Sequence, residues 1–112
     1  MADDPFENML AQMDRAEEYA ETFGFAATYR DYERMLDAES LDAVVAVTPV
    51  DATATVAGDL LSRGVPVLIE KPPGRSSEET RSLLELARRH GTPHAVSFNR
   101  RFNPALDRAR EW

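Results

Sequence analysis

The 112-residue sequence contains no cysteine, which removes disulfide frameworks and thiolate metal sites together. It has only two histidines, His90 and His94, and they give little material for a metal site. No apolar run approaches the roughly 20 residues that a membrane-spanning helix needs, so no membrane partner is expected. Positive charge is also scarce: 13 basic residues stand against 20 acidic ones, a formal net charge of -7. Phosphate binding needs a basic surface, so nucleic acid is excluded as the main partner, and the acidic surface reads as a solubility feature. The first residues, Met1-Ala2-Asp3-Asp4-Pro5, are acidic and lack a secretory signal pattern, so a cytoplasmic location is expected. Lysine is almost missing. Lys71 is the sole one, and the other twelve basic residues are arginines.

What is present suffices for one small domain. With 43% hydrophobic residues the chain can build a core. Residues 1–13 form an N-terminal segment of uncertain structure, although Phe6, Met9, Leu10 and Met13 recur at helical spacing. Asp14, with Glu17 three residues on, opens a clearer helix that Gly24 closes; the two stretches can equally be one long helix. Residues 25–28 read as a short strand, and Asp31 caps a short helix through Leu36. Residues 43–47 are a wholly apolar, β-branched run, the pattern of a parallel strand covered on both faces. Thr48-Pro49 stops it, and Asp51 is expected to cap a helix with Ala52, Val56, Leu60 and Leu61 on its apolar side, ending before Gly64. Residues 66–69 form a second strand and 70–74 a loop. Ser76 and Glu79 form a capping box for a helix carrying Thr80, Leu83, Leu84 and Ala87 on one face, and residues 95–98 form a third strand. Pro104 starts a last helix.

Strands alternating with helices imply βαβ crossovers and a parallel sheet, and such sheets bind ligands beyond the carboxyl ends of their strands. Three polar segments fall at that edge: Thr48-Pro49, Glu70-Lys71-Pro72 and Asn99-Arg100-Arg101. Lys71 follows a buried strand and precedes two prolines, which fix their own φ and press the preceding residue into extended geometry. An ammonium held there can donate to a ribose or to a substrate hydroxyl, and if desolvated it can act as acid or base. The plainer reading is a solvated loop lysine that Glu70 orients or merely neutralises. His90 reads as a helix-end charge, His94 as a strand-edge residue, and the Arg88-Arg89 pair as a solvated helix end. Asn99 is as readily a turn residue as a ligand contact.

Three ordered motifs carry a resemblance. They are Leu41-Asp42-Ala43-Val44-Val45-Ala46-Val47-Thr48-Pro49, Leu68-Ile69-Glu70-Lys71-Pro72-Pro73, and Ser97-Phe98-Asn99-Arg100-Arg101-Phe102-Asn103-Pro104. Together with Arg15-Ala16-Glu17-Glu18 and Tyr29-Arg30-Asp31-Tyr32-Glu33, they make residues 14–112 resemble the Gfo/Idh/MocA family, the glucose–fructose oxidoreductase and inositol dehydrogenase relatives. The resemblance implies that Lys71 sits beside a nicotinamide and the substrate as a catalytic residue, and that Glu70 and Pro72 flank it at the cofactor. It implies that Thr48 and Pro49 form the turn passing the cofactor and that Arg101 lies near the nicotinamide end. The implied cofactor is NAD or NADP, and the implied substrate is a sugar, polyol or similar hydroxyl compound.

The departures from the family pattern shape the expectation. The five glycines, Gly24, Gly58, Gly64, Gly74 and Gly91, make no Gly-x-Gly-x-x-Gly turn, the motif that holds a dinucleotide diphosphate at a helix N-terminus. The family's opening strand, its acidic ribose-reading strand end and its C-terminal substrate domain have no counterpart here. The expected fold is therefore α/β, an incomplete Rossmann-like, doubly wound parallel sheet lacking the first strand and the glycine-rich turn. The expected function is a partial NAD(P)-dependent oxidoreductase that is inactive alone. The alternatives are a non-catalytic binding or interaction module derived from that domain, or a fragment of an interrupted gene. The strand at 43–47 would lose its neighbour, so self-association through an open sheet edge is expected.

Overall fold

The computed structural model describes residues 5–112 in secondary structure, and side chains from residue 11 onward. The chain divides into two compact units, Met1–Ser40 and Leu41–Trp112.

In the first unit, helix α1 runs Pro5–Phe23 without a break. Asp14 lies inside it and caps nothing, which settles the one-helix alternative. The shared face expected for Phe6, Met9 and Leu10 lies outside the described side chains. Gly24 ends the helix, and the Phe25 N–H then bonds back to the Ala20 carbonyl at 2.9 Å. Phe25 stacks on Tyr19, with ring centroids 5.9 Å apart, and Tyr19 meets Phe23 at 4.3 Å. This overturns the strand expected at 25–28. The segment spends its first N–H and its aromatic ring on α1 and pairs with no strand. Asp31 caps α2 (Tyr32–Ala38) as expected, its carboxylate accepting from the N–H groups of Glu33 and Arg34. Tyr29 donates its hydroxyl to Glu39, and that hydrogen bond holds the phenol above its ordinary pKa.

The second unit is a parallel sheet of β1 (Val44–Ala46), β2 (Val67–Glu70) and β3 (His94–Ser97), in that order. Each strand lies within a residue of its expected bounds. Helix α3 (Val50–Ser62) crosses from β1 to β2, and α4 (Ser77–His90) from β2 to β3. Register places Val44 beside Val67 and Ala46 beside Ile69 on one face, and Val45, Leu68 and Ala95 in a row on the other. The first face is the core. Ala46, Val67 and Ile69 are buried with Ala57, Leu60 and Leu61 of α3 and Leu83 and Ala87 of α4. Leu60, Leu61 and Ile69 are fully buried, each stabilising the fold by roughly 1.5–3 kcal/mol. The opposite row is open, with Val45 67% and Leu68 39% exposed. The expectation that β1 is covered on both faces is therefore not met: α3 and α4 both serve the Val67–Ile69 side, and apolar composition alone does not distinguish one buried face from two.

Helix termini follow local chemistry. At the ends of α3 and α4, Gly64 and Gly91 take φ of 73° and 63°, where a Cβ would be strained. The following N–H groups, from Val65 and Thr92, then reach back to the Leu60 and Ala87 carbonyls at 3.0 Å. Thr92 is buried and donates its hydroxyl to the Leu61 carbonyl at 2.7 Å, tying the end of α3 to the entry of β3. Asp51 does not cap α3. The helix starts two residues earlier than that cap implies, at Val50, and the Pro49 carbonyl accepts the first N–H groups, from Ala52 and Thr53. Of α3's expected apolar positions, Leu60 and Leu61 are buried, and Thr53 and Ala57 take the other two buried places. Ser76 caps α4 through the Glu79 N–H at 3.1 Å, but Glu79 turns its carboxylate to Arg75 rather than back to the Ser76 N–H, so the box is half formed. After β3, a 3-10 turn (Asn99–Phe102) leads to α5 (Pro104–Arg110), capped by Asn103 onto the Ala105 N–H.

Gly74 marks a close approach. A Cβ there would stand 2.9 Å from the Glu79 Cβ and 2.9 Å from the Thr80 backbone nitrogen. Neither atom is the free end of a flexible side chain, so the loop must lift away from α4. Gly74→Ala is expected to cost about 1–3 kcal/mol, read as a lower urea midpoint with unchanged slope. An unchanged midpoint would show that the loop yields freely.

Candidate functional site

Because all three strands run parallel, their carboxyl ends lie on one edge, and the three polar segments that follow them are brought there together. After β1, the Thr48 hydroxyl lies 2.9 Å from that of Thr53, and Thr53 donates to the Pro49 carbonyl at 3.0 Å. This turn is braced by the first turn of α3, so the Thr48 hydroxyl already has a protein partner.

After β2, Glu70 accepts the Lys71 backbone N–H at 2.8 Å. It thus holds the main chain of Lys71 and does not pair with the ammonium. The Lys71–Pro72 peptide is cis, which sequence reading did not foresee. The Lys71 side chain is exposed, and among the described residues its ammonium has no ion-pair partner. It lines a cavity of about 250 Å³ with Phe98, Asn99, Arg100, Arg101 and Leu106. The Arg101 guanidinium also sits 5.6 Å from the centre of the Phe102 ring, a cation–π contact.

The structure therefore brings Lys71 and Arg101 to one cavity. Thr48, Pro49, Glu70 and Pro72 share the sheet edge but do not line it. Sequence reading placed Arg100 at this edge without giving it a role, and missed Phe98 and Leu106 as walls. The signal for Phe98 was available, since it leaves β3 beside the lysine's own strand. A second cavity, about 420 Å³, lies between α4 and strands β2 and β3; its walls include Leu61, Ile69, Leu83 and Val96, and it holds none of the expected site residues.

Behind the lysine loop, Arg75 donates to Glu79 three times: its N–H at 2.7 Å, Nη2 at 2.8 Å and Nε at 3.2 Å. These bonds hold the Glu79 carboxyl below its ordinary range and raise the Arg75 guanidinium above its own.

The cavity wall is almost wholly apolar, made by Phe98, Leu106 and the carbon portions of its polar residues, which fits a flat ring; the charged groups of Lys71, Arg100 and Arg101 belong to its surroundings and not to its lining. The diphosphate has no matching cradle among these residues, because each glycine is otherwise engaged. Gly24, Gly64 and Gly91 close helices at their C-terminal ends, Gly58 faces Leu83 and Leu86, and Gly74 packs against α4. Among the described residues, no helix is long and apolar enough to cross a membrane, and no cluster of three or more metal-ligating side chains occurs.

A family model described as an oxidoreductase family with an NAD-binding Rossmann fold matches residues 9–98. The chain is 33% identical over 84 residues to the rhizopine catabolism protein MocA of Rhizobium meliloti, a match covering 75% of this chain and 26% of that protein. It is 34% identical over 97 residues to D-xylose 1-dehydrogenase (NADP(+)) 2 of Haloferax volcanii, covering 87% and 30% respectively. Among solved structures, it superposes on a Gfo/Idh/MocA family oxidoreductase from Vibrio cholerae with a TM-score of 0.77 and 32% identity, covering 88% of this chain and 31% of that one. The chain thus spans between a quarter and a third of the length of these relatives.

Proposed function

The chain belongs to the Gfo/Idh/MocA oxidoreductase family, with its NAD-binding Rossmann fold, and on that premise we propose that it forms the nicotinamide-proximal part of an NAD(P)-dependent dehydrogenase site. The parent reaction is hydride transfer between NAD or NADP and a sugar, polyol or related hydroxyl compound. The observation that carries this reading is the meeting of Lys71 and Arg101 in one cavity at the carboxyl edge of the sheet. The nicotinamide supplies the hydride chemistry when bound. Lys71 offers an ammonium that can donate to a substrate hydroxyl and exchange a proton with it. Arg101, steadied on Phe102, supplies fixed positive charge and planar donors beside it. Glu70 fixes the lysine's main chain, and Thr48, Pro49 and Pro72 shape the edge around the cofactor. A chain whose main partner is not nucleic acid belongs to the same proposal and rests on the acidic charge balance.

Saturation-transfer NMR with NADH tests the reading. Nicotinamide protons are expected to take up most of the saturation and adenine protons little, and Lys71→Ala is expected to remove at least half of the nicotinamide signal. An adenine-dominated pattern, or one indifferent to Lys71→Ala, would remove the cavity from the cofactor site.

One observation favours a second reading, a non-catalytic interaction module. Val45 and Val47 are 67% and 73% exposed around the outermost strand, a surface suited to another polypeptide.

A further inference from the structure

The loop that carries Lys71 is tethered at both ends. At its start, the Glu70 carboxylate accepts the Lys71 N–H at 2.8 Å. At its end, the Glu79 carboxylate takes three hydrogen bonds from Arg75, one of them from the main chain. Between these anchors lie only residues 71–74. Pro72 and Pro73 have fixed φ, and each restricts the residue before it. Gly74 is buried so closely on α4 that no Cβ would fit without displacement. A short, stiff segment pinned at both ends transmits the position of one anchor to the other.

An exposed ion pair by itself contributes little. Here the same carboxylate also accepts a backbone N–H, so its removal frees the chain itself as well as a side chain. Ser76 caps α4 independently, through the Glu79 N–H, so the helix start does not depend on the Glu79 carboxylate.

We propose that Glu79 is a positioning residue for Lys71, its carboxylate clamping Arg75 so that the intervening loop presents the lysine at the carboxyl edge of the sheet. The proposal rests on the reading of Lys71 as the site lysine. Its test is independent of that reading, because it follows the lysine and not the cofactor.

The sole lysine makes the test direct: 15N-lysine labelling of the 112-residue chain lights a single backbone amide, that of Lys71. In the wild type its order parameter is expected near 0.85, the value of rigid backbone. In Glu79→Ala it is expected to fall below about 0.6, with the methyl resonances of Leu60, Leu61 and Ile69 unmoved. A purely stabilising role would lower the melting temperature but leave a folded Lys71 as ordered as before. Glu79→Gln retains an acceptor for the Arg75 N–H and is expected to keep most of the order. A folded Glu79→Ala chain with an unchanged Lys71 amide overturns the proposal. If Glu79→Ala loses its methyl dispersion, Glu79→Met, which keeps the bulk of the side chain but offers the Arg75 N–H no oxygen acceptor, decides: a more mobile Lys71 amide supports the clamp, and an unchanged one overturns it. NADH that fails to shift the wild-type Lys71 amide counts against the cofactor reading and leaves the mobility comparison standing.

Discussion

Replacing Val45 with lysine is expected to convert a self-associating chain into a monomer. Strand β1 pairs with β2 on one side and, among the described residues, with no strand on the other. Its outer N–H and C=O groups are left to water or to another chain, and the Val45 and Val47 side chains beside them are largely exposed. Apolar edges of this kind pair with one another, and natural proteins block such pairing with charged residues, lysine above all. Light scattering after size exclusion should give the unaltered chain a mass at least twice 12.5 kDa, and the Val45→Lys chain a mass near 12.5 kDa. A wild-type chain that runs as a monodisperse monomer and melts cooperatively above ~60 °C would show that the edge is closed in another way.

The second large effect concerns the cofactor. The 112-residue chain is expected to bind NADH no more tightly than the millimolar range, and to leave the absorbance of the reduced cofactor unchanged across a panel of sugars and polyols. Hydrogen bonds to charged groups contribute about 1.5–3 kcal/mol each, and every ~1.4 kcal/mol lost weakens binding tenfold. With no glycine placed to cradle a diphosphate, several such contacts are missing at once, and the cavity beside Lys71 is not expected to replace them. Calorimetry settles the affinity: micromolar binding, or any protein-dependent oxidation of NADH with a carbonyl substrate, would show that these residues hold the diphosphate by other means.

How far the sequence could be read depended on how local the determining physics was. The strands were legible because short β-branched runs are bounded by Thr48-Pro49, Glu70-Lys71-Pro72 and Phe98-Asn99, and the helix ends because Gly64 and Gly91 sit where a left-handed residue is required. Residues 25–28 failed the same logic. Their composition resembles a strand, but the aromatic ring of Phe25 is taken up by Tyr19, a partner that no periodicity reveals. Asp51 looked like a cap because aspartate prefers that place, whereas the Pro49 carbonyl had already begun the helix. At the site, parallel topology was enough to place Lys71 beside Arg101, since each follows one of two neighbouring strands. The Arg75–Glu79 clamp was hidden because Glu79 also fits a capping box, and only geometry shows which N–H its carboxylate takes.

The solitary lysine has a practical consequence at the bench. Apart from the α-amino group, the chain's only primary amine belongs to a residue that lines the cavity proposed for the nicotinamide. Succinimidyl dyes, aldehyde fixatives and amine-coupled sensor surfaces would therefore attach at the N-terminus or at that cavity and nowhere else. A preparation immobilised through Lys71 would score as a non-binder because its mouth had been plugged. Tethering through an appended tag avoids this, and the same selectivity offers a clean way to hang a single reporter beside the sheet edge.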